Sequence, residues 1–406
     1  MGLLIFQIII VTKIKIAMIA SPWLDIPPVG YGGIENMLAK LIPRLMAAGL
    51  DIELFTVKTS QLVSTLNHWI YDLPQYKYIH NPGYESMPII LGHLAYSINV
   101  IKNRNDFDII HDHNGYIGPM IFNFSENKLP PTIHTLHGPP FDLNHNSCDS
   151  KPDNLILFNQ LSASNNLSYV PISRAMAKSV PNILKSKLLT HVYNGVEPNE
   201  FPFILKKEPF FVQLARIHPE KGQKIAIETA LATRIPLILA GPISNIANSD
   251  NRFSHISNSK SSIPSSVAED YFANSILPFL NDNLVEYVGN ISGTERLKLI
   301  STAKAMLFPI QWEEPFGMAV IEALACGTPV VAMAKGAMTE IIEHGINGFL
   351  ANTKEEFIQY AKIIDEIDPK NCRQSVESKF SADQMAKGYL KHYATILNLK
   401  IPIDTD

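Results

Sequence analysis

The feature that most constrains the fold is an alternation of short apolar runs with helical segments along the whole chain. Runs at 51–56, 107–111 and 132–136 have the length of buried strands, and segments with apolar residues at helical spacing separate such runs. Strands that alternate with helices form parallel sheets covered on both faces, because each crossover helix packs on a face of the sheet. The sequence therefore predicts an α/β fold of the doubly wound type.

The alternation occurs twice, which indicates two domains. Single hydrophobic cores stop growing at roughly 250–300 residues, and this chain has 406. The pattern stops in the proline-rich, aperiodic segment 197–208 and restarts with an apolar run at 210–215. We therefore expect an N-terminal domain over residues 1–200 and a C-terminal domain over residues 201–378.

The stretch 311–332, QWEEPFGMAVIEALACGTPVVA, combines a loop, a helix, a turn and a buried strand. Glu314 lies just before the helix and Glu322 about one turn inside it. A helix start offers unpaired backbone N–H groups and a positive dipole end. Carboxylates at such a place can accept hydrogen bonds from the vicinal hydroxyls of a ribose or a hexose. The alternative is that both are only charges that favour the helix dipole.

Two cations mark another junction between a strand and a helix. Arg216 and Lys221 lie in ARIHPEKG, between the apolar run 210–215 and a helical segment at 223–231. An arginine can bind two phosphate oxygens at once and a lysine adds a compact charge, so the pair suits a diphosphate. An exposed basic turn without a ligand is the alternative.

The first half contains a glycine-rich loop, GYGGIE at 30–35, between the first strand and a helix at 34–42. Glycines let the backbone approach a ligand closely, and the helix start can face an anion. The loop does not have the spacing G-x-G-x-x-G, so the dinucleotide fingerprint that an NAD-dependent oxidoreductase would need is absent.

Several histidines lie at strand ends of the first half, where ligands bind in doubly wound sheets. They are His111, His113, His134 and His137. A zinc site would need further acidic or cysteine ligands, and the sequence places none convincingly beside them. We therefore expect no metal. Asp112 and His113 are weaker candidates than His137 for lining a ligand site.

The motif with Glu314 and Glu322, which have seven residues between them in EPFGMAVIEALACGTPVV, resembles the donor-site motif of the retaining family 4 glycosyltransferases. The segments GYGGIE, TLHGPP and ARIHPEKG are similar to elements of the same family. The resemblance runs from about residue 15 to the C-terminal region and is poor at 60–85 and 244–266. It implies the GT-B architecture, which is two Rossmann-like domains with an interdomain cleft. It also implies that residues 379–406 form a helix that crosses back to the N-terminal domain.

The resemblance implies transfer of a sugar from a UDP- or GDP-sugar to a glycan, lipid or small-molecule acceptor, with retention of configuration. Glu322 is expected to bind the ribose, and Glu314 the donor sugar. Arg216 and Lys221 are expected to hold the diphosphate, which makes a metal or other cofactor unnecessary. The implied donor-binding positions are Gly32, Gly33, Arg216, Lys221, Glu314, Phe316, Gly317, Met318 and Glu322. The implied catalytic positions are His137, Arg216, Lys221 and Glu314.

Two alternatives to this function stay open: a non-catalytic nucleotide-sugar-binding protein, and a phosphorylase or epimerase with the same architecture. The net charge of −4 gives no general attraction to nucleic acid, so none is expected as a partner. The three scattered cysteines fit a reducing compartment. We expect a cytoplasmic protein, for which peripheral contact with the inner membrane face is compatible with the resemblance.

The N-terminal residues 2–11, GLLIFQIIIV, are almost wholly apolar. A transmembrane helix needs about 20 such residues, and no basic segment precedes them as in a signal peptide. A start codon assigned too far upstream is the preferred interpretation. A membrane-touching extension and an extra packed segment are the alternatives.

Overall fold

The computed structural model describes residues 13–30, 32–79, 81–125, 129–138, 159–161, 164, 166–243, 267–280 and 283–399. The sequence also predicts a helix at 154–166 and a polar surface insertion at 244–266. Residues 1–12, most of 154–166 and all of 244–266 lie outside the described residues. The chain divides into two compact units. Unit 1 comprises Met1–Gly195 and Ala382–Asp406, and unit 2 comprises Val196–Ser381.

Unit 1 contains a six-stranded parallel sheet. Its strands are β1 Lys15–Ile19, β2 Asp51–Phe55, β3 Leu66–His68, β4 Ile109–Asp112, β5 Thr132–Leu136 and β6 Leu167–Pro171. They lie in the order β3-β2-β1-β4-β5-β6. The helices of the first 195 residues include α1 Gly33–Ala47, α2 Gly83–Arg104, α3 Ile117–Phe124 and α4 Arg174–Ser179. Ser173 caps α4, because its hydroxyl accepts a hydrogen bond from the backbone N–H of Met176.

Both faces of this sheet are covered. Ile16 and Met18 of β1 belong to a buried cluster that includes the apolar face of α1. Ala17 and Ile19, which point the other way, belong to a second cluster with residues of α2. A strand buried on both faces must be apolar at every position, which explains the continuous apolar runs in the sequence.

Unit 2 repeats the arrangement. Its strands are β7 Glu208–Leu214, β8 Leu237–Ala240, β9 Val285–Tyr287, β10 Ala303–Phe308, β11 Val330–Met333 and β12 Gly348–Ala351. They lie in the order β12-β11-β10-β7-β8-β9, and each neighbouring pair is parallel. The helices are α5 Gln223–Thr233, α6 Val267–Ser275, α7 Gly293–Thr302, α8 Met318–Ala325, α9 Met338–Ile341, α10 Lys354–Lys362 and α11 Pro369–Lys379.

The two sheets have the same topology. In each sheet, the first strand of the unit lies beside the fourth. The second and third strands follow on one side of this pair, and the fifth and sixth strands follow on the other. Ligands of doubly wound sheets bind beyond the carboxyl ends of the strands at this switch point. The switch points are β1 with β4 in unit 1 and β7 with β10 in unit 2. The predicted doubly wound α/β fold is confirmed.

The last described helix, α12 Ala382–Ile396, follows α11 of unit 2 in the sequence but belongs to unit 1. Its buried Tyr389 and Tyr393 lie in the same cluster as the apolar face of α1. Arg44 Nε of α1 donates a hydrogen bond of 2.7 Å to Asp383 Oδ1 at the start of α12.

Several elements differ from the sequence prediction. The sequence predicts a helix over 92–102, which in the structure begins at Gly83. Helices α3, α6 and α11 were not predicted. A helix that the sequence predicts over 335–342 is limited to α9, and the segment 60–85, where the resemblance is poor, contains β3 and a short 3-10 turn at Tyr76–Tyr78. Throughout the described part of the chain, no helix is long and apolar enough to span a membrane.

Candidate active site

The loops that follow β7 and β10 at the switch point of unit 2 are fastened to each other. The backbone N–H of Gln311 donates a 2.7 Å hydrogen bond to the carbonyl of Glu220. Gly222 has a φ of +70°, and a Cβ at this position would lie 1.9 Å from the carbonyl oxygen of Pro309. Only a glycine lets the two loops approach so closely, so their contact depends on Gly222.

Two buried glutamine amides fix the loop that carries the predicted cations. Gln213 Nε2 donates to the carbonyl of Lys221 at 2.7 Å, and Gln223 Nε2 donates to the carbonyl of Arg216 at 2.9 Å. The backbone is therefore held from inside at both cations. The Arg216 side chain is exposed, whereas that of Lys221 is only 14% exposed.

Lys221 and Glu314 are brought together, as their predicted roles at one site require. Lys221 Nζ lies 2.7 Å from Glu314 Oε2 and 4.9 Å from the centroid of the Trp312 ring. The indole Nε1 of Trp312 donates to the same carboxylate oxygen at 2.9 Å. An ammonium group has three donors, so Lys221 can contact a phosphate while it still holds Glu314.

A third loop, after β11, supports Glu314 from behind. The backbone N–H of Ala337 donates to the carbonyl of Glu314 at 2.9 Å, and that of Gly336 donates to Glu313 Oε2 at 2.6 Å. Gly336 has a φ of +56°, and an added Cβ would lie 2.3 Å from the carbonyl oxygen of Glu314. The position of Glu314 thus depends on a second close approach between backbones.

Helix α8 begins directly after this loop. Gly317 caps it with a φ of +110°, and a Cβ there would lie 2.6 Å from Met338 Cε. Met318 is the first helical residue and is half-buried. The ring of Phe316 is buried and packs against Phe380 with centroids 6.1 Å apart. Any contact of Phe316 with a ligand therefore comes from its backbone.

Glu322 lies in the second turn of α8 and is paired with a residue that the sequence reasoning missed. Arg296, in the first turn of α7, donates from Nη2 to Glu322 Oε2. The two side chains are 28% and 16% exposed. The only sequence signal for Arg296 is a basic residue early in a helix, and its partner lies 26 positions away.

The remaining predicted positions lie in unit 1. Gly32 and Gly33 start α1 beyond the end of β1, and His137 follows β5. A Cβ on Gly32 would lie 2.7 Å from the ring of Pro28, so this glycine is explained by packing. A Cβ on Gly33 would meet nothing within 4 Å, so open space lies beside that helix start.

His137 belongs to a chain of neutral imidazoles. Its Nε2 lies 2.8 Å from His113 Nδ1, and His113 Nε2 lies 3.2 Å from Met18 Sδ. Burial, with a smaller contribution from His134, lowers the pKa of His137 to about 3. Burial, together with the neighbouring histidines, also holds the pKa of His113 well below its usual value. His137 is therefore uncharged near neutral pH.

His111 and His134, the other two histidines at these strand ends, contact side chains inside unit 1. The ring nitrogens of His111 lie 2.7 Å from the Tyr393 hydroxyl and 2.8 Å from Thr135 Oγ1. His134 Nδ1 lies 2.6 Å from Asp112 Oδ2. In the described ranges, no group of three or more histidine, cysteine or acidic side chains is placed to hold a metal ion.

Comparison with known proteins assigns the chain to a family. Residues 31–200 match the sequence profile of Glycosyltransferase Family 4, and residues 197–375 match that of Glycosyl transferases group 1. The chain is a glycosyltransferase of the family 4 type. Together the two profiles span residues 31–375, which include all the positions predicted from the motifs.

Full-length relatives agree with this assignment. An uncharacterized glycosyltransferase of Methanocaldococcus jannaschii is 24% identical over 409 residues, which cover 95% of this chain and 99% of that protein. Sucrose-phosphate synthase from Thermosynechococcus elongatus superposes with a TM-score of 0.70 at 17% identity, over 95% of this chain and 100% of the other. HepE from Anabaena, in complex with UDP and glucose, gives a TM-score of 0.64 at 17% identity, over 94% and 100%. These structures establish the GT-B fold of the glycosyltransferase.

Proposed function

We propose that this glycosyltransferase transfers a sugar from a nucleoside-diphosphate sugar to a carbohydrate, lipid or small-molecule acceptor with retention of configuration. The observation that carries the proposal is the pairing of Lys221 with Glu314 across two loops at the switch point of unit 2. A cation for the phosphate and a carboxylate for sugar hydroxyls are thereby fixed side by side, which is the arrangement that a sugar diphosphate requires.

The proposed reaction breaks the bond between the anomeric carbon and the leaving phosphate oxygen. The electron pair goes to that oxygen, and Arg216 and Lys221 stabilise the developing charge. The acceptor hydroxyl forms the new bond from the same face of the sugar and gives its proton to the departing phosphate. Glu314 orients the donor sugar through its hydroxyls, beside the start of α8. We assign no protein nucleophile.

The resemblance gives roles to residues of unit 1 as well. Neutral His137 can donate or accept a hydrogen bond to a sugar without adding charge. The open space beside Gly33 suits a close approach of a ligand to the backbone. We propose no metal or organic cofactor, because two cations already serve the leaving diphosphate.

UDP is the first nucleotide to test, since HepE contains it, and GDP is the second. A nucleotide at about 100 times its dissociation constant should stabilise the protein by about 2.7 kcal/mol, which a thermal-shift assay detects. Transfer is then measured as release of free nucleoside diphosphate on addition of acceptor. NMR of the product, compared with the donor, reports the anomeric configuration.

A double variant, Arg216→Ala with Lys221→Ala, tests the role of the cations. We expect it to fold and to lose turnover by at least about 100-fold, because removing one preorganised donor for developing charge costs about that much. Unchanged turnover would contradict the mechanism. Nucleotide binding without any acceptor-dependent release would favour a binding protein instead.

A further inference from the structure

We infer that Arg296 is a positioning residue that aims the Glu322 carboxylate at the ribose and thereby sets the preference for ribonucleotides over 2′-deoxyribonucleotides. The inference rests on the proposed function, because it assumes that unit 2 binds a nucleoside diphosphate. Arg296 lies outside all the motifs recognised in the sequence, and its assignment comes from the packing of α7 against α8.

Arg296 and Glu322 form a pair between two neighbouring helices. Glu322 projects from the second turn of α8, and Arg296 from the first turn of α7. The guanidinium donates to Oε2 of the carboxylate. A carboxylate has two oxygens with about four acceptor sites, so the bound Arg296 leaves Glu322 able to accept hydroxyl donors. The charge-assisted bond selects one rotamer of a side chain that otherwise has several.

The pair of Arg296 with Glu322 resembles the pair of Lys221 with Glu314. Each of the two carboxylates that are predicted to bind hydroxyls is held through Oε2 by a cation from a neighbouring element. Lys221 has a separate role in the proposed phosphate site. The described contact of Arg296 is with Glu322, and both side chains are partly buried. Dissolved ions screen the attraction between partly buried charges less than the attraction between exposed charges.

Removal of Arg296 has two separable effects on nucleotide binding. Loss of a positive charge near the nucleotide weakens the binding of every nucleotide alike, whatever its sugar. Loss of the fixed Glu322 rotamer weakens the binding of a ribonucleotide more than that of its 2′-deoxy analogue, which has only the 3′-hydroxyl to donate. The ratio of the affinities for a ribonucleotide and its 2′-deoxy analogue therefore reports positioning, and a purely structural role of Arg296 leaves this ratio unchanged.

The test is calorimetric titration of the full chain with UDP, GDP and their 2′-deoxy forms. Wild type should prefer the ribonucleotide by roughly tenfold or more, the usual value of a hydrogen bond to a charged group. Arg296→Met should reduce this preference to within about twofold of unity, and Arg296→Lys should restore part of it. Lys298→Met, which removes an exposed cation from the same helix, should keep the wild-type ratio.

The outcomes separate the inference from the function. An Arg296→Met variant that keeps the wild-type ratio overturns the inference, whether or not its overall affinity falls. Addition of Arg296→Met to Glu322→Gln should change the ratio no further, and a further change also counts against the inference. Failure of wild type to bind either nucleotide overturns the proposed function, and the inference with it, before any variant is measured. Thermal melting checks that each variant is folded.

Discussion

At the scale of single residues, the site of unit 2 consists of paired charges rather than isolated ones. Glu314 is held by Lys221 and Trp312, and Glu322 by Arg296. The sequence motif predicted the two carboxylates and Lys221, because their spacing in the chain is recognisable. It did not predict Trp312 as a partner or Arg296 at all, since these contacts arise only when loops and helices pack.

The two carboxylates should have separable roles. Glu322→Gln should weaken the binding of a nucleoside diphosphate by roughly tenfold, because a charged acceptor of ribose hydroxyls becomes a neutral one. Glu314→Gln should leave that binding within about threefold and lower kcat/KM for the complete donor by roughly ten- to a hundredfold. Calorimetry gives the first quantity and steady-state kinetics the second. Equal losses of nucleotide affinity would contradict the division of roles.

Trp312 should act on transfer through Glu314. Trp312→Phe removes the indole donor and keeps an aromatic ring beneath Lys221, so kcat/KM should fall by about fivefold, the value of one neutral donor. Trp312→Leu removes the ring as well and should cost a further two- to fivefold, roughly the worth of a cation–π contact. Steady-state kinetics of both variants measures the two steps. A larger loss in the phenylalanine variant than in the leucine variant would refute this order.

At the scale of elements, the sequence predicted what periodicity and turn residues encode. Strands buried on both faces are continuous apolar runs, so most of them were recognised. Helix α3 was missed because it contains Gly118 and Pro119, which are typical of loops. Helix α11 was missed because only Cys372, Ser375 and Val376 are buried in it, which leaves no apolar periodicity.

The packing of one loop against another also escapes periodicity, and Gly222 tests it. Gly222→Ala should destabilise unit 2 by roughly 3 kcal/mol or more, from backbone strain at positive φ and from the clash with Pro309. It should also weaken nucleotide binding, because the two loops separate. Thermal denaturation and titration with UDP measure the two effects.

Gly345 provides the matched control. It has a φ of +79°, but a Cβ there would meet nothing within 4 Å. Gly345→Ala should therefore cost only the strain, about 1–2 kcal/mol, and leave nucleotide affinity unchanged. Similar losses in the two variants would show that the contact between the loops contributes nothing.

At the scale of the whole molecule, the same strand order serves two different kinds of chemistry. The switch-point region of unit 2 carries charged pairs, whereas neutral His113 and His137 lie at strand ends of unit 1. The sequence showed both histidines at strand ends but could not show that they are neutral, which depends on how deeply the fold buries them. It did not single out His93, whose ring is buried between α2 and β1 and contacts the carbonyl of Ala20 at 2.9 Å.

This difference predicts how the two units respond to acid. Burial lowers the pKa of His93 to about 4, against about 6.5 in an unfolded chain. Below pH 6.5 the unfolded state binds a proton that the folded state refuses, so the stabilisation is complete above pH 6.5 and is lost as the pH falls towards 4. The loss amounts to roughly 3 kcal/mol for His93 alone, and His111 and His113, whose pKa values are also well below normal, add to it.

We therefore expect calorimetric scans between about pH 7.5 and 5 to show the transition of unit 1 moving to lower temperature before that of unit 2. UDP identifies the transition of unit 2 by raising its midpoint temperature, if the nucleotide binds as proposed. His93→Gln keeps a donor for the carbonyl of Ala20 and removes one titrating group, so it should reduce the slope of stability against pH by about 1.4 kcal/mol per unit. An unchanged slope in His93→Gln would mean that this histidine is charged in the folded protein.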